Sequence, residues 1–107
     1  MADKIIMLAC SAGMSTSLLV TKMQAAAKKL GRDYNIFATS VSDIDNQLEN
    51  THPDVLMLGP QVAYMKGDVK AKTDAAQIPM AVINMQDYGM MAGDKVLATA
   101  EQLLKEG

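Results

Sequence analysis

A single cysteine is followed by small and hydroxyl-bearing residues. Cys10 ends an apolar stretch, and the residues after it are Ser11, Ala12, Gly13, Met14, Ser15, Thr16 and Ser17. Small residues let backbone N–H groups turn inward around an anion, and hydroxyl groups add further donors. A helix that begins in this run also favours negative charge at its amino end. The pattern therefore predicts a thiolate nucleophile in a loop that binds phosphate.

A cysteine at a strand end is also common as a small buried apolar residue. Since the chain has one cysteine, an intrachain disulfide and the CxxC motifs of redox and zinc sites are excluded. The hydroxyl-rich run between a strand and a helix favours the functional interpretation of Cys10 over the purely structural one.

Two kinds of phosphoryl chemistry use such a cysteine. Tyrosine phosphatases hold phosphate with an arginine six residues after the cysteine and then hydrolyse the phosphocysteine. In this chain that position is Thr16, and the single arginine is Arg32. Because the loop lacks the bidentate arginine, we expect slow hydrolysis. A phosphocysteine that resists water suits a protein that passes its phosphoryl group on.

Length and composition restrict the class of protein. The 107 residues predict one domain over 1–107, and half of them are hydrophobic, which is a globular composition. The net charge of -2 and the aromatic content of 4% argue against nucleic acid as a partner. The longest uncharged run, 5–21, is too polar for a membrane span, and it lacks the basic flank of a signal peptide. We therefore expect a cytoplasmic protein with a reduced cysteine.

Short apolar runs alternate with segments of helical period. Strands are predicted at 5–9, 34–40, 55–58 and 80–84, and helices at 17–30, 43–48, 61–73 and 94–105. Four βα units in series predict an α/β fold with a parallel sheet and helices on both faces. Ligands bind such sheets at the carboxyl ends of strands, so the site is expected in the loops that begin at Cys10, Gly59 and Met85.

Three motifs carry a resemblance to a known family. They are CSAGMSTS at 10–17, LGPQVAY at 58–64 and YG at 88–89. The chain resembles the IIB component of the bacterial phosphoenolpyruvate-dependent sugar phosphotransferase system, in its lactose/cellobiose (diacetylchitobiose) branch. The resemblance covers essentially the whole chain. It implies a flavodoxin-like three-layer fold with strand order 2-1-3-4. Asn84 stands where some members have aspartate.

The resemblance also implies a function. Cys10 would accept a phosphoryl group from a phosphohistidine of a IIA partner and donate it to a sugar bound by the membrane component IIC. The expected sugar is a β-linked disaccharide such as cellobiose, and the loop 11–17 would hold the phosphoryl group. Neither a cofactor nor a metal ion is required, and a monomer that visits the inner face of the membrane is expected. A cysteine phosphatase and a non-catalytic binding module stay open as alternatives.

Further residues are predicted around the site. Those that could form its rim or dock partners are Gln61, Tyr64, Asp87, Tyr88, Met90 and Met91. Asp87 is considered as a general acid, although a phosphoryl carrier does not require one. The adaptable apolar side chains of Met14, Met65, Met90 and Met91 suit the docking of more than one partner. Core positions are predicted for Met7, Met23, Met57 and Met80, and His52 is expected at the opposite end of the sheet.

Overall fold

A parallel four-stranded sheet forms the centre of the protein. The structure is a computed structural model that describes the backbone of residues 4–11 and 14–106 and the side chains of 4–11 and 16–105. The strands are β1 (Lys4–Cys10), β2 (Tyr34–Ser40), β3 (Val55–Leu58) and β4 (Met80–Val82). Their order is β2-β1-β3-β4, and each neighbouring pair is parallel. The predicted sheet and its strand order are therefore confirmed.

Helices cover both faces of this sheet, as predicted. They are α1 (Met14–Lys29), α2 (Ile44–Asn50), α3 (Lys66–Ala75), α4 (Met85–Gly89) and α5 (Gly93–Glu106). Buried residues of α1, α4 and α5 pack on one face, and those of α2 and α3 pack on the other. The contact between α5 and α1 is close, since a Cβ atom on Gly93 would lie 2.5 Å from the backbone carbon of Lys22.

The alternation of side chains along β1 explains why this strand is almost wholly apolar. Ile6 and Leu8 belong to the core under α1 and α5, whereas Met7 and Ala9 belong to the core under α2 and α3. A central strand that is buried on both faces requires apolar residues at consecutive positions. The same alternation places the next even-numbered residue, Cys10, on the face that α1 covers.

The helical period of α1 selects which of its apolar residues are buried. Leu19, Met23 and Ala27 face the sheet at intervals of about one turn. Leu18 and Leu30 are predicted on the same apolar face, but both are exposed. Leu18 lies to one side of that stripe, and Leu30 comes after the last residue of the helix, Lys29. Of the methionines assigned to the core, Met7, Met23 and Met57 are fully buried, while Met80 is half-buried.

Several predicted boundaries are wrong, and each has a local cause. The helix predicted at 61–73 is a 3₁₀ segment, Pro60–Met65, followed by α3, because Val62 has non-helical φ and ψ of -115° and 23°. The loop predicted at 85–93 contains α4. Asn84 caps this helix instead of extending β4, since its Oδ1 accepts hydrogen bonds from the N–H groups of Gln86 (2.9 Å) and Asp87 (3.1 Å).

The helices α1 to α4 share one type of carboxyl end. A residue with positive φ follows each of them at the same position: Gly31 (72°), His52 (51°), Gln77 (59°) and Met91 (53°). This left-handed residue lets the following chain hydrogen-bond back to the last turn, as in the bond from the N–H of Ile78 to the carbonyl of Thr73 (2.8 Å). Glycine adopts this conformation without strain, but it is used only after α1 among these four.

Candidate active site

Cys10 is the last residue of β1, at the carboxyl edge of the sheet. Its register partner on β2 is Ser40, and on its other side Gly59 follows β3. The N–H of Gly59 donates a hydrogen bond to the carbonyl of Ala9 (2.8 Å) and extends the β1–β3 pairing to this edge. Cys10 is not in a disulfide, and only 4% of its surface is exposed. The thiol therefore lies where a parallel sheet of this order binds its ligands.

Gly59 leaves space beside this cysteine that another residue would fill. A Cβ atom on Gly59 would lie 3.2 Å from the Cβ of Cys10, 3.3 Å from the carbonyl oxygen of Ala9 and 3.4 Å from Oε1 of Gln61. Glycine thus allows two neighbouring chain segments to approach closely. The same contacts show that the side-chain amide of Gln61 reaches to the immediate surroundings of Cys10.

The amino end of α1 follows Cys10 closely in the chain. Helix α1 begins at Met14, so its first backbone N–H groups have no acceptor within the helix and can bind an anion. The helix starts three residues earlier than predicted, and Thr16 and Ser17 therefore belong to its first turn instead of to a loop. Ser11 is exposed. Ala12 and Gly13, and the side chains of Met14 and Ser15, lie outside the described residues.

Two of the predicted site residues are buried together. Thr16 is 1% exposed and Tyr88 is 7% exposed, and Oγ1 of Thr16 lies 3.2 Å from the hydroxyl oxygen of Tyr88. Tyr88 was predicted on the rim, but the short helix α4 directs it into the core under α1 and α5. The hydroxyl of Thr16, which the sequence predicts as a donor to phosphate, shares a hydrogen bond with the hydroxyl of Tyr88.

Large apolar side chains are exposed around the same edge. We define the apolar rim as four exposed residues that follow the carboxyl ends of β1, β3 and β4, namely Leu18, Tyr64, Met85 and Met90. Gln61 is also exposed, as predicted. Asp87 is half-buried. Met65 and Met91 were predicted as exposed docking residues, but both are half-buried and pack against the cores.

Arg32 and His52 lie at the end of the sheet opposite to Cys10. Arg32 precedes β2, and its Nε lies 3.4 Å from Oε2 of Glu101. His52 shares a cavity of about 170 Å³ with Lys4, the first residue of β1, which confirms its predicted place at the far edge. Neither the arginine nor the histidine can therefore contact a phosphoryl group on Cys10 in this structure.

Asp43 follows β2 at the same edge as Cys10, but its own turn occupies it. Its carboxylate accepts hydrogen bonds from Nε2 of Gln47 (2.9 Å), Nδ2 of Asn46 (3.3 Å) and Oγ1 of Thr39 (3.3 Å). The bond from Gln47, with smaller effects of the other two, holds the pKa of Asp43 below its ordinary value against an opposing effect of desolvation. This carboxylate therefore orders the turn between β2 and α2.

Known proteins resemble this chain in both sequence and fold. A family model described as "PTS system, Lactose/Cellobiose specific IIB subunit" matches residues 5–99. The chain belongs to this IIB family. As a IIB component, it takes part in sugar phosphotransfer by the phosphotransferase system. The resemblance read from the three sequence motifs is thereby confirmed.

Individual relatives of this IIB chain agree with the family. The chain is 66% identical to the galactose-specific EIIB component of Lactococcus lactis subsp. cremoris (strain MG1363), over 97% of its own length and 99% of the relative. It has the same identity and coverage with the cellobiose-specific EIIB component of Lactococcus lactis subsp. lactis (strain IL1403). The solution structure of a cellobiose-specific phosphotransferase IIB component from Borrelia burgdorferi has a TM-score of 0.79 and 34% identity, and the match covers 96% of this chain and 93% of that one.

No helix within the described residues of this IIB chain is both long enough and apolar enough to span a bilayer.

Proposed function

We propose that Cys10 carries a phosphoryl group between two partner proteins. In the first step its Sγ, as a thiolate, attacks the phosphorus of a phosphohistidine on a IIA partner. The S–P bond forms as the N–P bond breaks, and the electron pair of that bond returns to the imidazole nitrogen. The observation that carries this proposal is the position of Cys10, at the carboxyl end of a central strand, against Gly59 and four residues before the first residue of α1.

The surroundings of Cys10 support transfer of a phosphoryl group. In the transition state the negative charge of the phosphoryl group is spread over its three equatorial oxygens, and these oxygens need hydrogen-bond donors that are already in place. The first backbone N–H groups of α1, at Met14, Ser15 and Thr16, have no acceptor within the helix and are such donors. No charged side chain is required, because the helix end supplies partial positive charge.

In the second step the phosphoryl group passes to a sugar hydroxyl held by a membrane IIC partner. The hydroxyl oxygen attacks phosphorus, the S–P bond breaks, and its electron pair returns to Sγ as the thiolate. The hydroxyl proton goes to a base outside this chain. We propose a β-linked disaccharide such as cellobiose as the sugar. Two relatives of equal identity are named for galactose and for cellobiose, so we assign the choice of sugar to IIC.

The apolar rim is the surface that we assign to docking of both partners. Leu18, Tyr64, Met85 and Met90 are exposed, although their apolar surface would be more stable away from water. Methionine side chains adapt to partners of different shape, which suits a carrier that meets two proteins in turn. In this proposal the protein works as a monomer in the cytoplasm and meets IIC at the inner face of the membrane.

A reconstituted phosphorylation assay tests the proposed function. The protein is incubated with phosphoenolpyruvate, the two general phosphotransferase proteins and a IIA protein of this family, and its intact mass is measured. We expect one stable phosphoryl group on the wild-type protein and none on a Cys10→Ser variant. Phosphorylation that persists in the variant would contradict the role of Cys10.

Turnover of an aryl phosphate distinguishes a cysteine phosphatase from a phosphoryl carrier. A cysteine phosphatase clamps phosphate with an arginine in its loop, but here the corresponding residue is the buried Thr16, and Arg32 pairs with Glu101 at the far edge. We therefore expect no turnover of p-nitrophenyl phosphate that depends on Cys10. If neither phosphorylation nor turnover is seen, the binding-module alternative stands.

A further inference from the structure

A buried hydrogen bond joins two parts of the chain that are distant in sequence. The hydroxyl groups of Thr16 and Tyr88 lie 3.2 Å apart and are 72 residues apart in the chain. Polar side chains are seldom buried without a reason, because removal from water must be compensated by a partner. Within the described residues, Thr16 and Thr73 are the polar side chains that the core encloses. The hydroxyl of Thr73 donates within its own helix, to the carbonyl of Lys70 (3.1 Å).

The Tyr88 side of this bond is held in place by packing. Its ring lies in the core formed with Leu19, Val96 and Leu97, and α4 itself is capped by Asn84 directly after β4. The hydroxyl of Tyr88 is therefore held in a fixed position relative to the sheet. Tyr88 also belongs to the YG motif of the sequence, whose role the proposed mechanism leaves open.

The Thr16 side of the bond lies in the turn that would hold the phosphoryl group. Thr16 is the third residue of α1, and the N–H groups of this first turn have no acceptor within the helix. These groups act on a phosphoryl group at Cys10 only if the turn keeps its place relative to the end of β1. Donors that need no rearrangement during the reaction stabilise the transition state most.

We infer that Tyr88 is a positioning residue for phosphoryl transfer. Its hydroxyl holds Thr16, and through Thr16 it holds the first turn of α1 at a set distance from the thiol of Cys10. This inference rests on the proposed function. Because Tyr88 acts through Thr16, its loss affects the rate of transfer more than the binding of the phosphate donor.

The substitution Tyr88→Phe tests the inference, since it keeps the ring in the core and removes only the hydroxyl. Single-turnover phosphorylation of Cys10 is measured against the concentration of phosphorylated IIA. We expect the limiting rate to fall roughly fivefold, in line with the loss of one buried hydrogen bond. The concentration of IIA at half the limiting rate stays the same, because the apolar rim is intact.

A second tyrosine supplies a matched control. The hydroxyl of Tyr34 donates a hydrogen bond to Oε2 of Glu101 (2.7 Å) at the opposite end of the sheet. The variant Tyr34→Phe therefore also loses one tyrosine hydrogen bond, far from Cys10. Urea unfolding of both variants gives the loss of stability in each. The limiting rate is expected to fall in Tyr88→Phe and to remain at the wild-type value in Tyr34→Phe.

Variants of Thr16 test the pair itself. The limiting rate should fall in Thr16→Val, recover largely in Thr16→Ser, and fall no further when Tyr88→Phe is added to Thr16→Val. Wild-type rates in Tyr88→Phe, equal falls in both tyrosine variants, or additive falls in the double variant would each overturn the inference. A wild-type protein that is not phosphorylated on Cys10 would instead contradict the proposed function.

Discussion

Gly59 lies so close to Cys10 that a Cβ atom on Gly59 would be 3.2 Å from the Cβ of the cysteine. Cys10 ends β1 and Gly59 follows the adjacent parallel strand β3, and the hydrogen bond from the N–H of Gly59 to the carbonyl of Ala9 keeps the two residues in register. The backbone oxygen of Ala9 would also lie 3.3 Å from that Cβ atom, so the backbone at Gly59 has little room to shift away from Cys10. The absence of a side chain at residue 59 thus shapes the surroundings of the thiol.

The substitution Gly59→Ala is expected to damage the site and to destabilise the protein. The added methyl group must displace the backbone around Cys10, which we expect to lower the free energy of unfolding by about 1 kcal/mol and to slow phosphorylation of Cys10. Urea unfolding and the mass-based phosphorylation assay measure the two effects.

Gly67→Ala is the matched control for this change. Gly67 lies in α3 and has no atom within 4 Å of an added Cβ, so alanine should stabilise the helix by about 0.5–1 kcal/mol. Phosphorylation should be unchanged. Normal stability and normal phosphorylation in Gly59→Ala would show that the close contact has no role.

The apolar rim predicts a partner-binding defect without loss of the fold. In a Met85→Ser, Met90→Ser double variant we expect the IIA concentration at half-maximal rate to rise roughly tenfold, since two exposed apolar contacts are lost. The free energy of unfolding should change by less than about 0.5 kcal/mol, because both side chains are exposed. The rates of phosphorylation are measured by stopping the reaction at set times and recording the intact mass of the protein.

Leu30→Ser is the control for the rim, because Leu30 is also a large exposed apolar residue but follows the carboxyl end of α1 at the far edge. A similar rise in this control would mean that the docking surface lies elsewhere. Met91→Ser is unsuited to this test, since Met91 is half-buried and packs against the core.

Gln77 is a position where glycine should stabilise the protein. Its φ of 59° is the strained left-handed conformation that ends α3, and its side chain is exposed. We expect Gln77→Gly to raise the free energy of unfolding by up to about 1 kcal/mol, and Gln77→Ala to leave it lower than in the glycine variant. Urea midpoints of the two variants decide the matter, and equal midpoints would contradict strain at this residue.

Asp43 should make stability depend on pH. Its pKa is lowered in the folded protein, first by the hydrogen bond from Gln47 and further by those from Asn46 and Thr39. A carboxyl group of this kind stabilises the fold at pH values above its unfolded pKa, and the contribution is lost as the pH falls through the folded value. The advantage of wild type over Asp43→Asn should therefore be full at about pH 7 and should shrink as the pH falls below about 4, the ordinary pKa of an aspartate. Urea midpoints across this range give the profile, and a constant difference would contradict it.

The parts of the fold that are strongly patterned could be predicted from the sequence. Val55–Leu58 is an apolar run that is buried on both faces, and such a run has few alternatives to a central strand. The weak points were short elements. Helix α4 spans five residues and depends on the cap by Asn84, a residue that the apolar pattern alone places at the end of a strand.

The sequence by itself determined the family, the parallel sheet and the place of Cys10 at its carboxyl edge, because these follow from local patterns and from motifs. Only the tertiary structure decided that Tyr88 is buried against Thr16 and that Met91 is packed instead of exposed. Both depend on how α4 lies against α1 and α5. Contacts between residues so far apart in the chain leave no periodic signal, since they arise from packing and not from propensity.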